Sequence, residues 1–137
     1  MLQEKQRIMD FANNNPFARM LNIEIKEMEP GAAVIEVKVR PMHLNPHGTL
    51  HGGVLSSMAD IAMGVAVRTL GKIGVTVTLN TNFINPGNLG ERIVARGKVT
   101  HQGNTLVATE CIITRDSQVL AQSTGVFFVI HNRHLED

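Results

Sequence analysis

The sequence predicts an α+β domain in which one antiparallel sheet of about six strands curls around a single long helix, with a short helix in front. Three observations carry this expectation. Residues 54–67 read as a helix that is apolar on every side. Every segment after it reads as strand, and a strand pair precedes it. An all-apolar helix must be wrapped by something, and in a chain of 137 residues a curled sheet meets that demand.

The elements follow in order. Residues 2–14 hold a short amphipathic N-terminal helix, with Leu2, Ile8, Met9, Phe11 and Ala12 as apolar anchors. Asn13-Asn14-Asn15-Pro16 ends it, because the residue before proline avoids the helical region. Residues 17–21 can add one more turn. Residues 22–29 alternate, with Ile23 and Ile25 set against Glu24 and Lys26, and read as a strand. Pro30-Gly31 turns the chain into a second strand at 33–40. There Ile35, Val37 and Val39 face one way and Glu36, Lys38 and Arg40 the other, so the two strands form a hairpin.

A polar loop then leads to Leu50 and the central helix, which extends to about residue 70. Val54, Leu55, Met58, Ala59, Ile61, Ala62, Val65 and Ala66 follow the helical period, and Met63 and Val67 fill the opposite side. The helix falls short of the roughly 20 apolar residues that span a bilayer. Gly71 and Gly74 bracket its exit. Strands at 75–84, 91–102, 105–115 and 119–131 follow as a four-strand meander. Asn85-Pro86-Gly87-Asn88, Gly103-Asn104 and Asp116-Ser117 are their turns. The tail after His131 is expected to fray. Residues 1–137 make one domain, with its core at 17–131.

Composition narrows the function. A formal net charge of +1 and the absence of a basic block exclude a polyanion partner, so no nucleic acid is expected. The N-terminus lacks an apolar signal-peptide core, and no membrane association is expected. The single cysteine, Cys111, lies in an apolar alternating run. It reads as buried and structural, and it suits a reducing, cytoplasmic setting. With no Trp and no Tyr, there is little material for an aromatic ligand cage.

The chemistry concentrates in residues 45–68. Asp60 sits in the middle of the apolar helix, where an ionised carboxylate is costly unless paired or hydrogen-bonded. No Lys or Arg lies within 54–67 to neutralise it. The helix begins at His51-Gly52-Gly53, two glycines where Ser, Thr or Asp is the usual cap. The first turn of a helix carries unpaired N–H groups and partial positive charge, and glycine leaves them unobscured. Such donors can hold the oxyanion formed when a carbonyl is attacked. His51 can also simply cap the helix, and Asn45 before Pro46 can be a plain turn residue. His43, His47 and His51 recur every four residues, but Pro46 breaks any helix there and no carboxylate completes a ligand set, so no metal is expected. Ser56 and Ser57 lack the Gly-x-Ser-x-Gly elbow of a serine hydrolase.

The spacing has a further consequence. Asp60 follows Gly52 by eight residues on one helix, roughly 12 Å along its axis. Attack requires reacting atoms about 3–3.5 Å apart. A carbonyl held at Gly52 is out of reach of Asp60 in the same chain, so a two-fold partner is expected to complete the site.

This plan resembles the hotdog-fold acyl-CoA thioesterases, in the branch of the phenylacetate-pathway thioesterases and thioesterase superfamily member 2. The resemblance covers roughly residues 17–128. It rests on Asn45, on Gly48-Thr49-Leu50-His51-Gly52-Gly53, and on Asp60 nine positions after His51. The runs GVTVTLNTNFINP (74–86), LGERI (89–93) and HQGNTLV (101–107) extend it. The resemblance implies hydrolysis of an acyl- or aryl-CoA thioester without a cofactor, CoA being part of the substrate. It implies Asp60 as general base or nucleophile and the Gly52 N–H as oxyanion donor. His51 and Asn45 would order the loop and a water, and Thr76 would support the water. Gly53, Phe83, His101, Gln102, Gly103, Asn104 and Thr105 would contact substrate. The family forms homo-oligomers, commonly dimers of dimers, with the active site at the dimer interface. A non-catalytic acyl-CoA sensor and a hotdog dehydratase or hydratase are the alternative readings. The sensors carry an added DNA-binding region, and the dehydratases place His and Asp differently.

Overall fold

The computed structural model describes residues 2–132. Its elements are α1 (Leu2–Asn13), α2 (Pro16–Met20), β1 (Glu24–Glu29), β2 (Ala32–Lys38), a 3₁₀ turn (Pro41–His43), α3 (Gly52–Arg68), β3 (Lys72–Phe83), β4 (Arg92–Gln102), β5 (Leu106–Arg115) and β6 (Gln118–Asn132). The six strands form one antiparallel sheet in the order β1-β2-β4-β5-β6-β3, with α3 packed against it. The predicted α+β plan is therefore present. Of the expected α1 anchors, Ile8 is buried and Met9 packs against the core. The side chains of Leu2, Phe11 and Ala12 lie outside the described residues, as does the tail at 133–137.

Two expectations about connectivity need correction. The last four strands are not a meander. Only β4, β5 and β6 follow one another in space, while β3 pairs with β6 at the far edge. The cluster at 85–88 is thus part of a connection that crosses the sheet between β3 and β4. Arg115 ties it down, donating to Pro86 O at 3.0 Å and to Glu91 Oε1 at 2.9 Å. Gly74 does not bracket the helix exit but lies inside β3, opposite Val129. A Cβ there would stand 3.1 Å from Phe127 Cβ, so the glycine admits a neighbouring strand's side chain.

The core is α3 against the concave face of the sheet. Met58, Ala59, Ala62, Met63 and Ala66 are fully buried, and Ile35, Ile93, Ile113 and Leu120 meet them from the strands. Each large side chain contributes roughly 1.5–3 kcal/mol by leaving water. Gly97 on β4 seats the helix. A Cβ there would fall 2.7 Å from Ala62 C and 2.8 Å from Met63 N, both backbone atoms. The helix is not buried all round in the single chain, as its composition suggested. Gly53, Ser56, Ser57, Asp60 and Gly64 form a stripe that stays open. Their spacing of three and four residues places them on one face.

Candidate active site

The loop before α3 is built by its own side chains. Asn45 Oδ1 accepts from the N–H groups of His47 (2.9 Å) and Thr49 (3.1 Å), and Asn45 Nδ2 donates to Thr49 Oγ1 at 2.8 Å. Its backbone N–H donates to Thr49 O at 2.8 Å, so Asn45 closes a small hairpin whose arms meet at Leu44 and Leu50. His43 is fully buried. Its Nδ1 accepts from Arg40 N–H at 2.9 Å, and its Nε2 bonds Leu21 O at 2.7 Å, which requires the proton on Nε2. Both ring nitrogens are spent on backbone, so His43 is a structural post that sequence reasoning considered only as a metal ligand.

His51 is the N-cap of α3. Its Nδ1 accepts from Gly53 N–H at 2.8 Å, and its own N–H donates to His43 O at 2.8 Å. The expectation that both glycines leave their donors open is therefore corrected at Gly53. Its N–H is occupied, and a Cβ there would stand 3.1 Å from the His51 ring. The Gly52 N–H, in contrast, meets no acceptor among the described residues. Beside it lies the ring of Phe83, at the end of β3, which a Cβ on Gly52 would approach to 3.3 Å.

Asp60 lies two turns further along. Thr76, near the start of β3, donates from Oγ1 to Asp60 Oδ1 at 2.6 Å. A bond this short to a charged acceptor is of the strong kind and fixes the carboxylate's rotamer. Oδ2 is left without a partner among the described residues. The carboxylate borders a cavity of about 640 Å³ walled by Ile61, Gly64, Val65, Ile73, Val75 and Phe127. A hollow of similar size, about 700 Å³, runs under β1 and β2, but it is lined largely by charged side chains and holds none of the predicted site residues.

The turn at residues 101–105 is exposed. Gly103 N–H closes it on Leu106 O at 2.9 Å, and a Cβ on Gly103 would sit 2.5 Å from that oxygen. Val107 pairs with Phe127, which pairs with Thr76, so this turn stands two strands from Thr76 at the same end of the sheet. That separation is roughly 10 Å. The single chain therefore gathers the predicted residues into two groups. Asp60 and Thr76, with His101, Gln102, Gly103, Asn104 and Thr105 nearby, lie toward one end. Gly52, Gly53, His51, Asn45 and Phe83 lie at the other.

A curled antiparallel sheet on one central helix, with a carboxylate in the helix and a free N–H at its start, defines a hotdog-fold enzyme. The thioesterase-superfamily model matches residues 47–122, more than half of the chain, and the protein belongs to that superfamily. It is an enzyme of thioester hydrolysis. A second model, for a domain of unknown function, matches residues 5–82. Acyl-coenzyme A thioesterase 13 of Homo sapiens is 34% identical over 98% of this chain and 94% of its own length. The PaaI protein of Escherichia coli, from the phenylacetic acid degradation operon, has a solved structure that superposes with a TM-score of 0.89. It is 29% identical over 95% of each chain. A hypothetical thioesterase of Streptococcus pneumoniae, solved with coenzyme A, superposes at 0.79 with 33% identity, over 82% of this chain and 91% of that one.

Proposed function

We propose that this protein hydrolyses acyl-CoA thioesters, with Asp60 as the attacking or activating group and the Gly52 N–H of a second copy as the oxyanion donor. The observation that carries the reading is the Thr76–Asp60 hydrogen bond of 2.6 Å at the mouth of an apolar cavity. Thr76 holds one carboxylate oxygen and leaves the other for a water or for the thioester carbon. In the general-base route, Asp60 takes a proton as water attacks the carbonyl carbon. The charge moves to the carbonyl oxygen, where the Gly52 N–H and the start of α3 receive it. Collapse breaks the C–S bond, and the departing sulfur takes the proton back. In the nucleophilic route, an Asp60 oxygen attacks the carbonyl carbon, the C–S bond breaks and CoA leaves as its thiolate. Water then cleaves the anhydride, restoring the Asp60 carboxylate and releasing the acid, and the water's proton goes to the thiolate. Both use the same placement. No metal or redox cofactor enters, and CoA arrives as part of the substrate.

The two groups of residues favour a shared site. Strand β3 has a neighbour on one side only, and its Val75 and Val77 are 49% and 55% exposed. An open apolar edge invites pairing with another chain. Thr76 meets Asp60 toward one end of β3 and Phe83 lies beside Gly52 at the other, and the midpoint of these two residues falls between Leu79 and Asn80. A two-fold axis there, pairing β3 with its copy antiparallel, would bring the partner's Gly52 toward Asp60 and create two equivalent sites. Exposed Leu106, Phe128 and Ile130 on the outer face suit a second contact between such dimers. The turn at 101–105 is placed to meet the pantetheine and nucleotide arm, and the loop closed by Asn45 and His51 holds Gly52 in position.

A thiol-release assay across acetyl-, octanoyl-, palmitoyl- and phenylacetyl-CoA tests the reading. Asp60→Asn should lower turnover at least roughly 10²-fold, with folding intact. A variant that hydrolyses at the wild-type rate would sink the assignment of Asp60.

A further inference from the structure

The cavity beside Asp60 has a direction. Along α3 its lining runs Asp60, Ile61, Gly64, Val65, Arg68, and along β3 it runs back from Thr76 through Val75 and Ile73 to Lys72. The reacting end is Asp60 and Thr76. The far end is polar, where the Lys72 ammonium donates to Asn132 Oδ1 at 2.9 Å. Eight helical residues separate Asp60 from Arg68, a span of roughly 12 Å. Ile8 of α1, itself buried, and Pro16 close the cavity from the N-terminal side.

Gly64 is the anomaly in that lining. It sits in the interior of α3, where glycine is unfavourable because it orders a freely flexible backbone. Packing does not demand it. A Cβ at Gly64 would meet nothing closer than the Phe127 ring, at 3.6 and 3.9 Å, an ordinary contact. Gly97 differs, since a Cβ there would strike backbone at 2.7 Å. The space that Gly64 leaves open belongs to the cavity, one helical turn beyond Asp60.

We propose that Gly64 sets the acyl-chain selectivity of this groove, by keeping the channel beside Asp60 open under a roof made by Ile8. The proposal rests on the acyl-CoA reading given above. The acyl carbonyl lies at Asp60 and the chain passes Ile61, Gly64, Val65 and Ile73. A longer chain runs into the polar Lys72–Asn132 pair, where its burial no longer gains.

The test is a chain-length profile. Values of kcat/KM for acetyl-, octanoyl- and palmitoyl-CoA are measured by thiol release for wild type, Gly64→Ala, Gly64→Leu and Ile8→Ala, with melting temperatures alongside. One misplaced methyl group in an apolar pocket changes selectivity roughly 10–200-fold. The octanoyl-to-acetyl ratio should fall at least about 10-fold in Gly64→Ala and further in Gly64→Leu. Gly64→Ala should melt no lower than wild type, because alanine favours the helix. Ile8→Ala should raise the palmitoyl-to-octanoyl ratio. A Gly64→Ala variant that slows all three substrates in equal proportion, or leaves the profile unchanged, overturns the groove assignment. Wild-type protein that releases no thiol overturns the underlying acyl-CoA reading, whereas release that survives Asp60→Asn overturns the placing of the carbonyl at Asp60; either result takes this proposal with it.

Discussion

Replacing Gly52 by proline isolates the backbone N–H as a chemical group. Gly52 is the first residue of α3, and proline is well tolerated at that position because the N–H it lacks has no intrahelical partner. His51 before it is extended, with φ −64° and ψ 133°, which agrees with the conformation a proline imposes on its predecessor. The cap from Gly53 N–H to His51 Nδ1 is untouched. The added ring meets Phe83, but that side chain is 56% exposed and free to swing away. Gly52→Pro therefore deletes the donor at little cost in stability. Removing one oxyanion-hole donor costs about 2.7–4 kcal/mol, or roughly 10²–10³ in kcat. Gly52→Ala adds the same Cβ and keeps the N–H, so it separates crowding from the lost hydrogen bond. The readout is kcat on one acyl-CoA for both variants, with thermal melts beside it. If Gly52→Pro turns over within a few-fold of Gly52→Ala, this N–H does not carry the transition-state charge.

Three further outcomes are expected. Gly97→Ala should destabilise by about 3 kcal/mol, a drop of roughly 10 °C in Tm, because its Cβ meets helix backbone that cannot give way; an unchanged melt would contradict the seating of α3. Partial burial pushes the Glu91 carboxyl up, but Arg115 and the Asn88 N–H pull it further down, to a net value below the usual 4.5. That stability is present above pH 4.5 and lost as pH falls through the lowered value, a loss that Glu91→Gln should abolish in melts taken against pH. Finally, Asp60→Asn and Gly52→Pro chains, each strongly impaired alone, should regain activity well above either residual rate when co-refolded, because a mixed dimer would hold one site with both native groups; verified heterodimers that stay at the residual rates would rule out a shared site.

Much of the fold was legible because its signals are local. The alternation at 33–40 reappears as buried Ile35, Val37 and Val39, and the apolar period of 54–67 as the buried residues of α3. Strand order was not legible, because it depends on contacts between distant segments. Asn85-Pro86-Gly87-Asn88 has the composition of a hairpin turn, yet it belongs to a connection that crosses the sheet. What holds that connection in place is remote in sequence: Arg115 on Glu91, and Leu50 N–H donating to Gly87 O at 2.8 Å. Cys111 shows the local rule working again. Its strand pattern marks it as buried, and burial pushes its thiol up to about 12.

The glycines show where one-dimensional reading stops. Gly52 and Gly53 are adjacent and identical in sequence, yet one N–H is open and the other is consumed by the His51 cap. Gly64 and Gly97 both interrupt apolar elements. Distances separate them: backbone lies 2.7 Å from a Cβ at Gly97, and an aromatic ring 3.6 Å from one at Gly64. The first is a packing requirement and the second an open space next to a carboxylate. The same logic applies to Asp60. Its isolation in an apolar helix marked it as functional, but its partner, Thr76, sits sixteen residues away across a chain reversal. Apolar edges, open glycines and a half-satisfied carboxylate are each a liability in an isolated chain. Here they line up along one side of β3 and α3, which is the arrangement expected if the second copy is part of the enzyme.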